Sequence, residues 1–320
     1  MYPLKFQPIL KERLWGGTKL KDVLGKPIDN DITGESWELS TVKGDVSKIA
    51  NGNLTGTSLQ ELIEKRPEEI LGKSVVERFG TDFPILIKFI DAKKDLSIQL
   101  HPNDELAKER HNSFGKTEMW YVMDADDDAN LIVGFNKDVT KNEYVDSLQN
   151  DTLLDLLNYE TVKEGDTFFI NTGKIHAIGA GVLLAEIQQT SDVTYRVFDF
   201  NRKDKNGNLR ELHTELALDA IDYSKKDDFK VAYASSENEV NTMVDCPYFK
   251  TNFLELSKDF EQDVSQRDSF TIYMCVGGSV TIKNDFGVAA IQKGETVLIA
   301  ANSDTITFKT SGVKLLEVNI

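Results

Sequence analysis

From Lys230 to Ile320 the chain consists almost wholly of short apolar runs divided by Gly-containing polar turns, ending in "VKLLEVNI". Runs of this length and spacing build sandwiches and barrels. The same pattern recurs earlier, in "GESWELS", "FPILIKFIDA", "DLSIQLHP" and "EGDTFFINTGKIHAIG". One internal echo ties the two parts together. "KEGDTFFINTGKIH" (Lys163 to His176) aligns without gaps on "QKGETVLIAANSDT" (Gln292 to Thr305). Each has Gly, an acidic residue, Thr, three apolar residues and a polar turn, as two copies of one β-unit would. His176 in the first copy corresponds to Thr305 in the second, so a metal ligand at this position is open to the first copy alone.

Helical periodicity interrupts the strands in a few places. "SLQELIEKRPEEILG" predicts a helix over 58–72, with Ser58 as its cap. A second helical patch is expected over about 138–160, a third near 211–223, and a short one from Leu106 to His111. At 320 residues the chain exceeds the usual single domain. The composition shift near Lys230 divides it into a larger unit, 1–229, carrying the helical insertions, and a smaller β unit, 230–320.

A formal net charge of −16 disfavours nucleic acid and anionic membranes as partners. An anionic ligand would need a few well-placed Lys and Arg to hold it against that field. No segment approaches the roughly 18 uninterrupted apolar residues of a membrane span, and the first ten residues lack a signal-peptide pattern. The expected location is the cytoplasm. Cys246 and Cys275 are too few for a disulfide scaffold and read as packed small hydrophobes. The small C-terminal unit offers no long amphipathic helix to a partner, and a monomer or weak homodimer is expected.

Only four histidines occur, and His101 stands two residues after Gln99 in "DLSIQLHPND". Strand alternation puts both on one face. Glu118 opens the strand-like "EMWYVMDA", and His176 follows a Gly-containing turn. Two imidazoles, a carboxylate and an amide oxygen make a first shell for a divalent metal, zinc or non-haem iron, with Gln99 an unusual fourth ligand. His111, among charged and small neighbours, and His213, on an expected polar helix, read as solvated. Trp15 and Trp37 read first as core residues that could also line a pocket.

These blocks, from "RLWGG" and "GESWELS" through "LIKFIDAKKDLSIQLHPND" and "GKTEMWYV" to "LLAEIQQTSDVTYRVFDFNR", resemble the type I mannose-6-phosphate isomerases in their short bacterial form. The resemblance spans essentially the whole chain, though 230–320 matches only in general character. It implies a mainly β fold of two cupin-type (jelly-roll) β-barrel units with inserted helices, the second lacking metal ligands. It implies one zinc ion on Gln99, His101, Glu118 and His176. It assigns active-site roles to Lys88, Lys116, Arg196, Glu186 and Asp192, with Lys88, Lys116, Arg196 and Trp15 toward the substrate. The implied reaction interconverts mannose 6-phosphate and fructose 6-phosphate through an enediolate, so the expected partner is a small phosphorylated sugar. Two other functions compete with this one: a sugar-phosphate sensor without turnover, and an iron oxygenase on the same two-His, one-carboxylate face.

Overall fold

Apolar runs rich in Val, Ile, Leu and Phe dictate strands along the length of the chain, alternating with polar residues where one face is open. A computed structural model describes residues 1–203 and 206–320, and the protein is mainly β with few helices. Among the described residues the strands form three sheets. A six-stranded sheet runs Ile9–Gly17, Thr33–Leu39, Ile85–Ala92, Val182–Gln189, Glu118–Ala125 and Thr167–Ile170. A five-stranded sheet runs Tyr195–Phe198, Ile98–Leu100, His176–Ile178, Asn130–Phe135 and Leu157–Thr161. The third has nine strands, drawn from residues 241–319 together with Leu4–Lys5, which pairs with Thr296–Ile299. The first strand of the chain is thus built into the sheet of its last segment. No described helix is long and apolar enough to cross a membrane.

The internal echo is a structural repeat. Gly165 and Gly294 both adopt left-handed backbone, with φ of 89° and 87°. Their N–H groups donate to the Val122 and Cys275 carbonyls at 2.9 and 2.8 Å. Asp166 and Glu295 each accept from the backbone N–H three residues earlier, at 3.0 and 2.9 Å. Strands Thr167–Ile170 and Thr296–Ile299 follow, and His176 and Thr305 each open a further strand. One turn with the same bonds has been used twice.

The helices differ from their sequence expectation. The 58–72 segment breaks into Leu59–Lys65 and Pro67–Leu71, because Pro67 cannot continue a helix interior. Ser58 does cap the first, accepting from the Glu61 N–H at 3.1 Å. Gly72, at φ 91°, separates Pro67–Leu71 from a further helix, Lys73–Phe79, which periodicity missed. Within 138–160 only Lys141–Gln149 is α-helical, and Leu157–Thr161 is a strand against Asn130–Phe135. Its burial alternates, and the neighbouring edge satisfies its backbone. The helix near 211–223 shrinks to Thr214–Ala217. Just before it, the His213 N–H donates to the Arg196 carbonyl at 2.7 Å, while its Nδ1 accepts from the Arg196 N–H at 3.1 Å. Those two bonds hold His213 at φ −111° and ψ 41°, outside the helical region. The helix Asp104–His111 matches expectation and is capped by Asn103.

An apolar cluster joins the six-stranded sheet to the nine-stranded one through the helices between them, with Phe83 and Phe270 ring centroids 4.9 Å apart. A second lies between the six- and five-stranded sheets and stops where polar residues take over.

Candidate metal centre and active site

Register creates the site. In the five-stranded sheet Gln99 pairs with His176 on one side and Arg196 on the other, so these three side chains form a row. In the facing sheet the pairs Trp37–Lys88, Lys88–Glu186 and Glu186–Trp120 form a second row across four strands. A cavity of about 320 Å³ lies between the two rows. Strands buried on both faces are normally apolar, so two facing polar rows mark this end of the sheets as functional.

His101 follows directly after strand Ile98–Leu100, and Glu118 opens the strand opposite. The reactive atoms of His101, Glu118 and His176 lie within 4.8 Å of one another, and all three residues are buried. The tautomers follow from the outer contacts. His101 Nδ1 donates to the Val193 carbonyl and His176 Nδ1 to the Lys174 carbonyl, both at 2.8 Å. Each Nε2 therefore presents a lone pair. Glu118 Oε1 lies 3.6 Å from His101 Nε2 and 3.3 Å from His176 Nε2, yet accepts no hydrogen bond. Its Oε2 lies 3.0 Å from Lys116 Nζ, an ion pair without hydrogen-bond angles. Lys116 Nζ lies 3.3 Å from His101 Nε2, yet Glu118 Oε1 has no donor, and a buried carboxylate oxygen facing two imidazole nitrogens fits a divalent cation held among the three. Gln99 Nε2 is 3.5 Å from His176 Nε2, which leaves its amide beside the cluster.

Burial sets the electrostatics. It pushes His101 down to about 4, with the Lys116 charge acting in the same direction, and it lowers His176 as well. Both rings are neutral at physiological pH, the form a metal requires. Burial alone would raise Glu118, but the Lys116 ammonium together with the His101 and His176 rings outweighs it and holds the carboxyl well below its usual range. Lys116 is raised despite its burial, through Glu118 and Glu186.

The cavity wall contains every other residue given a pocket or active-site role from sequence. Lys88 Nζ lies 3.0 Å from Glu186 Oε1, while Trp120 Nε1 donates to Glu186 Oε2 at 2.9 Å. Arg196 Nε donates to Ser97 at 3.3 Å and its terminal nitrogen to the Glu211 carbonyl at 2.9 Å. Asp192 is exposed at the cavity edge. Trp15 and Trp37 are both buried and both line the cavity, so core and pocket readings hold together. A Cβ on Gly34 would meet the Trp15 ring at 2.4 Å, which explains a glycine there.

Among the lining residues that sequence reasoning missed are Arg13, Glu35, Trp120 and Arg210. Glu35 accepts from Arg13 at 2.9 and 3.1 Å and from Trp37 Nε1 at 2.7 Å. It stood in the quoted "GESWELS" block, two residues before Trp37. Arg210 is held by Asp199 Oδ2 at 2.6 Å, and Arg202 Nε donates to Asp199 Oδ1 at 3.1 Å. No spacing rule could have found that contact across a loop. His213 needs correction: it is half-buried beside Arg196 and lies before its helix. His111 is exposed as expected, with Nε2 2.9 Å from the Tyr195 hydroxyl. Cys275 is buried and Cys246 half-buried, and both are free thiols.

Comparison with known proteins agrees along the chain. The family model for the type I phosphomannose isomerase catalytic domain matches residues 3–147, and that for the mannose-6-phosphate isomerase cupin domain matches 239–317. The chain is 36% identical over 300 residues to the mannose-6-phosphate isomerase ManA of Bacillus subtilis, covering 93% of this chain and 92% of that one. It is 42% identical over 221 residues to the probable mannose-6-phosphate isomerase GmuF of the same organism, covering 69% and 68%. The crystal structure of the mannose 6-phosphate isomerase from Bacillus subtilis superposes on it with a TM-score of 0.90 at 32% identity, over the full length of both chains. With the family models at both ends and such relatives along its length, the chain belongs to the type I mannose-6-phosphate isomerase family of enzymes.

Proposed function

We propose that this enzyme is zinc-dependent and interconverts mannose 6-phosphate and fructose 6-phosphate through an enediolate, at the cavity between the two polar rows. The observation that carries the reading is Glu118 Oε1, buried against two imidazole lone pairs without a donor. The charge of the lining supports an anionic substrate. Arg13, Lys88, Lys116, Arg196 and Arg210 face Glu35, Glu186 and Asp192 in a chain of net charge −16.

His101, Glu118 and His176 would hold the zinc, with the Gln99 amide beside them. When bound, zinc supplies Lewis-acid polarisation of the substrate oxygens, worth several kcal/mol in the transition state. The proton on carbon 2 of the open-chain aldose moves to carbon 1, and the O2 proton moves to O1. Glu186 has both oxygens engaged, by Lys88 and Trp120, which suits orientation more than proton transfer. Asp192, exposed at the cavity edge, is left as the carboxylate to carry the carbon-bound proton. Lys116 Nζ, buried beside Glu118, stabilises the negative charge that develops on oxygen. The planar fork of Arg196 suits phosphate or hydroxyl oxygens, and Trp15 closes the wall.

The repeated turn around Gly165 and Gly294 supports two related jelly-roll units, 1–229 and 230–320, with the first alone carrying metal ligands. The functional test is formation of fructose 6-phosphate by protein as isolated, after chelator dialysis, and after zinc is returned. Activity that disappears and returns with zinc supports the proposal. Activity untouched by metal removal, or restored by iron and not by zinc, overturns it.

A further inference from the structure

Thr117 stands between Lys116 and Glu118, in a buried segment, Gly115 to Thr117, that runs outside any strand up to Glu118–Ala125. Buried backbone N–H groups need acceptors, and here two side chains provide them. The Gly115 N–H donates to Asp104 Oδ1 and the Thr117 N–H to Gln189 Oε1, both at 2.8 Å.

One orientation of the Gln189 amide satisfies its neighbours. Its oxygen faces the Thr117 N–H, and its Nε2 donates to Asp104 Oδ1 at 3.1 Å. Turning the amide over would set donor against donor and acceptor against acceptor. The Gln189 backbone N–H also donates to the Thr117 carbonyl at 3.1 Å, so this one residue holds both polar groups of Thr117. A Cβ on Gly115 would lie 2.8 Å from the Asp104 backbone nitrogen, and glycine permits that close approach.

The second Asp104 oxygen points to another sheet. Oδ2 accepts from the Tyr248 hydroxyl at 2.8 Å. Tyr248 lies in the turn between Asn241–Asp245 and Lys250–Leu256, two strands of the nine-stranded sheet. Burial pushes its phenol up to about 12, and the Asp104 bond acts in the same direction, so the hydroxyl stays a donor. The turn is itself anchored. Phe249 is buried in the apolar cluster that joins the sheets, and Arg78 donates to the Pro247 carbonyl.

We propose that Gln189 and Asp104 are positioning residues for Lys116 and Glu118, and that Tyr248 makes the nine-stranded sheet part of their support. The inference rests on the metal reading of Glu118 and gives a role to a sheet that carries none of the three ligands. Lys116 and Glu118 flank Thr117 across planar peptides, so a shift of Thr117 moves both. Outer contacts of this kind are worth about 10- to 100-fold in metal affinity or activity.

The test combines zinc affinity by chelator competition, isomerase kinetics, and hydrogen exchange at the Thr117 amide, all on full-length protein. Gln189→Leu should weaken zinc binding and lower kcat about 10- to 100-fold, with KM for mannose 6-phosphate within about twofold. Tyr248→Phe, which removes a single hydroxyl, should cost about 2- to 10-fold in both, the worth of one hydrogen bond. The double variant should be no worse than Gln189→Leu alone, because both act through one chain of bonds. Exchange at Thr117 should quicken in each single variant, with zinc present or removed. Unaltered zinc affinity and kcat in Gln189→Leu, or losses that multiply in the double variant, would overturn the proposal. Tyr248→Phe with lower thermal stability but unchanged zinc affinity, kcat and Thr117 exchange would overturn the role of the nine-stranded sheet. If the unaltered protein binds no zinc, the metal reading fails, while kcat and Thr117 exchange still decide whether Gln189 positions Lys116.

Discussion

Glu118 Oε1 lies 3.3 Å from His176 Nε2, and no proton joins them, because the ring donates its Nδ1 proton to the Lys174 carbonyl. Two acceptors are therefore held together by the surrounding backbone against their mutual repulsion. His101 is likewise anchored through Nδ1 on the Val193 carbonyl, while its Nε2 also lies 3.3 Å from Lys116 Nζ. A cation relieves this arrangement, and the predictions below follow from it and from the polar row opposite.

His176→Ala and Glu118→Ala should each release zinc and abolish isomerisation, as read by elemental analysis beside the activity assay. Glu118→Ala should also lose about 3–5 kcal/mol of stability, since the buried Lys116 loses its carboxylate partner. Full metal content in either variant would remove that residue from the ligand set.

Arg196→Ala should keep its zinc and lose roughly 10- to 100-fold in kcat/KM, the worth of one charge-assisted hydrogen bond. The loss should fall mainly on KM if Arg196 grips the substrate. Metal lost together with activity would mean that Arg196, paired with Gln99 across the sheet, holds the ligand strand instead.

Lys88→Met removes the cation between Glu186 and Glu35. Glu186 contacts it directly at 3.0 Å, and its charge holds down the Glu35 carboxyl. Thermal unfolding should fall by an amount corresponding to about 3–5 kcal/mol, and pairing Lys88→Met with Glu186→Gln should recover part of it. A double variant as unstable as the sum of both single ones would exclude the coupling.

Glu35 also predicts a pH response. Burial would raise its pKa, yet Lys88 and Arg13 bring it below the usual value of 4.5. A folded-state pKa below the unfolded one contributes stability above the unfolded value, and that contribution is lost as pH falls through the folded value. Urea unfolding midpoints should therefore drop as pH decreases below about 4.3. Glu35→Gln should reduce the slope of that drop. An identical slope in the variant would show that Glu35 titrates alike in both states.

Gly34→Ala tests the pocket wall. Its Cβ would collide with the Trp15 ring, at a cost of about 1–3 kcal/mol, and should displace the indole that lines the cavity. KM should rise with zinc content unchanged. An unaltered KM would separate Trp15 from the substrate.

The strands and the metal-ligating residue types were legible because both are local. Alternation names a strand, and Gln99, His101, Glu118 and His176 are rare donors in otherwise apolar runs. The turn repeated at Gly165 and Gly294 could be read from letters alone, since one backbone conformation demands one residue pattern. Helix extents were less legible. Leu157–Thr161 has an apolar content that suits a helix as well as a strand, and its neighbour Asn130–Phe135 made the choice. The fold of His213 back onto Arg196 and the capture of Arg210 by Asp199 are likewise contacts between distant segments. The sequence by itself determined a β-rich chain with a metal-competent set of side chains and enough cations to meet an anion. Tertiary structure alone decided that His176, Gln99 and Arg196 stand in one row facing Lys88, Glu186 and Trp120. Register and sheet packing are set by burial and backbone pairing summed over many residues, and no single stretch of the chain encodes that sum.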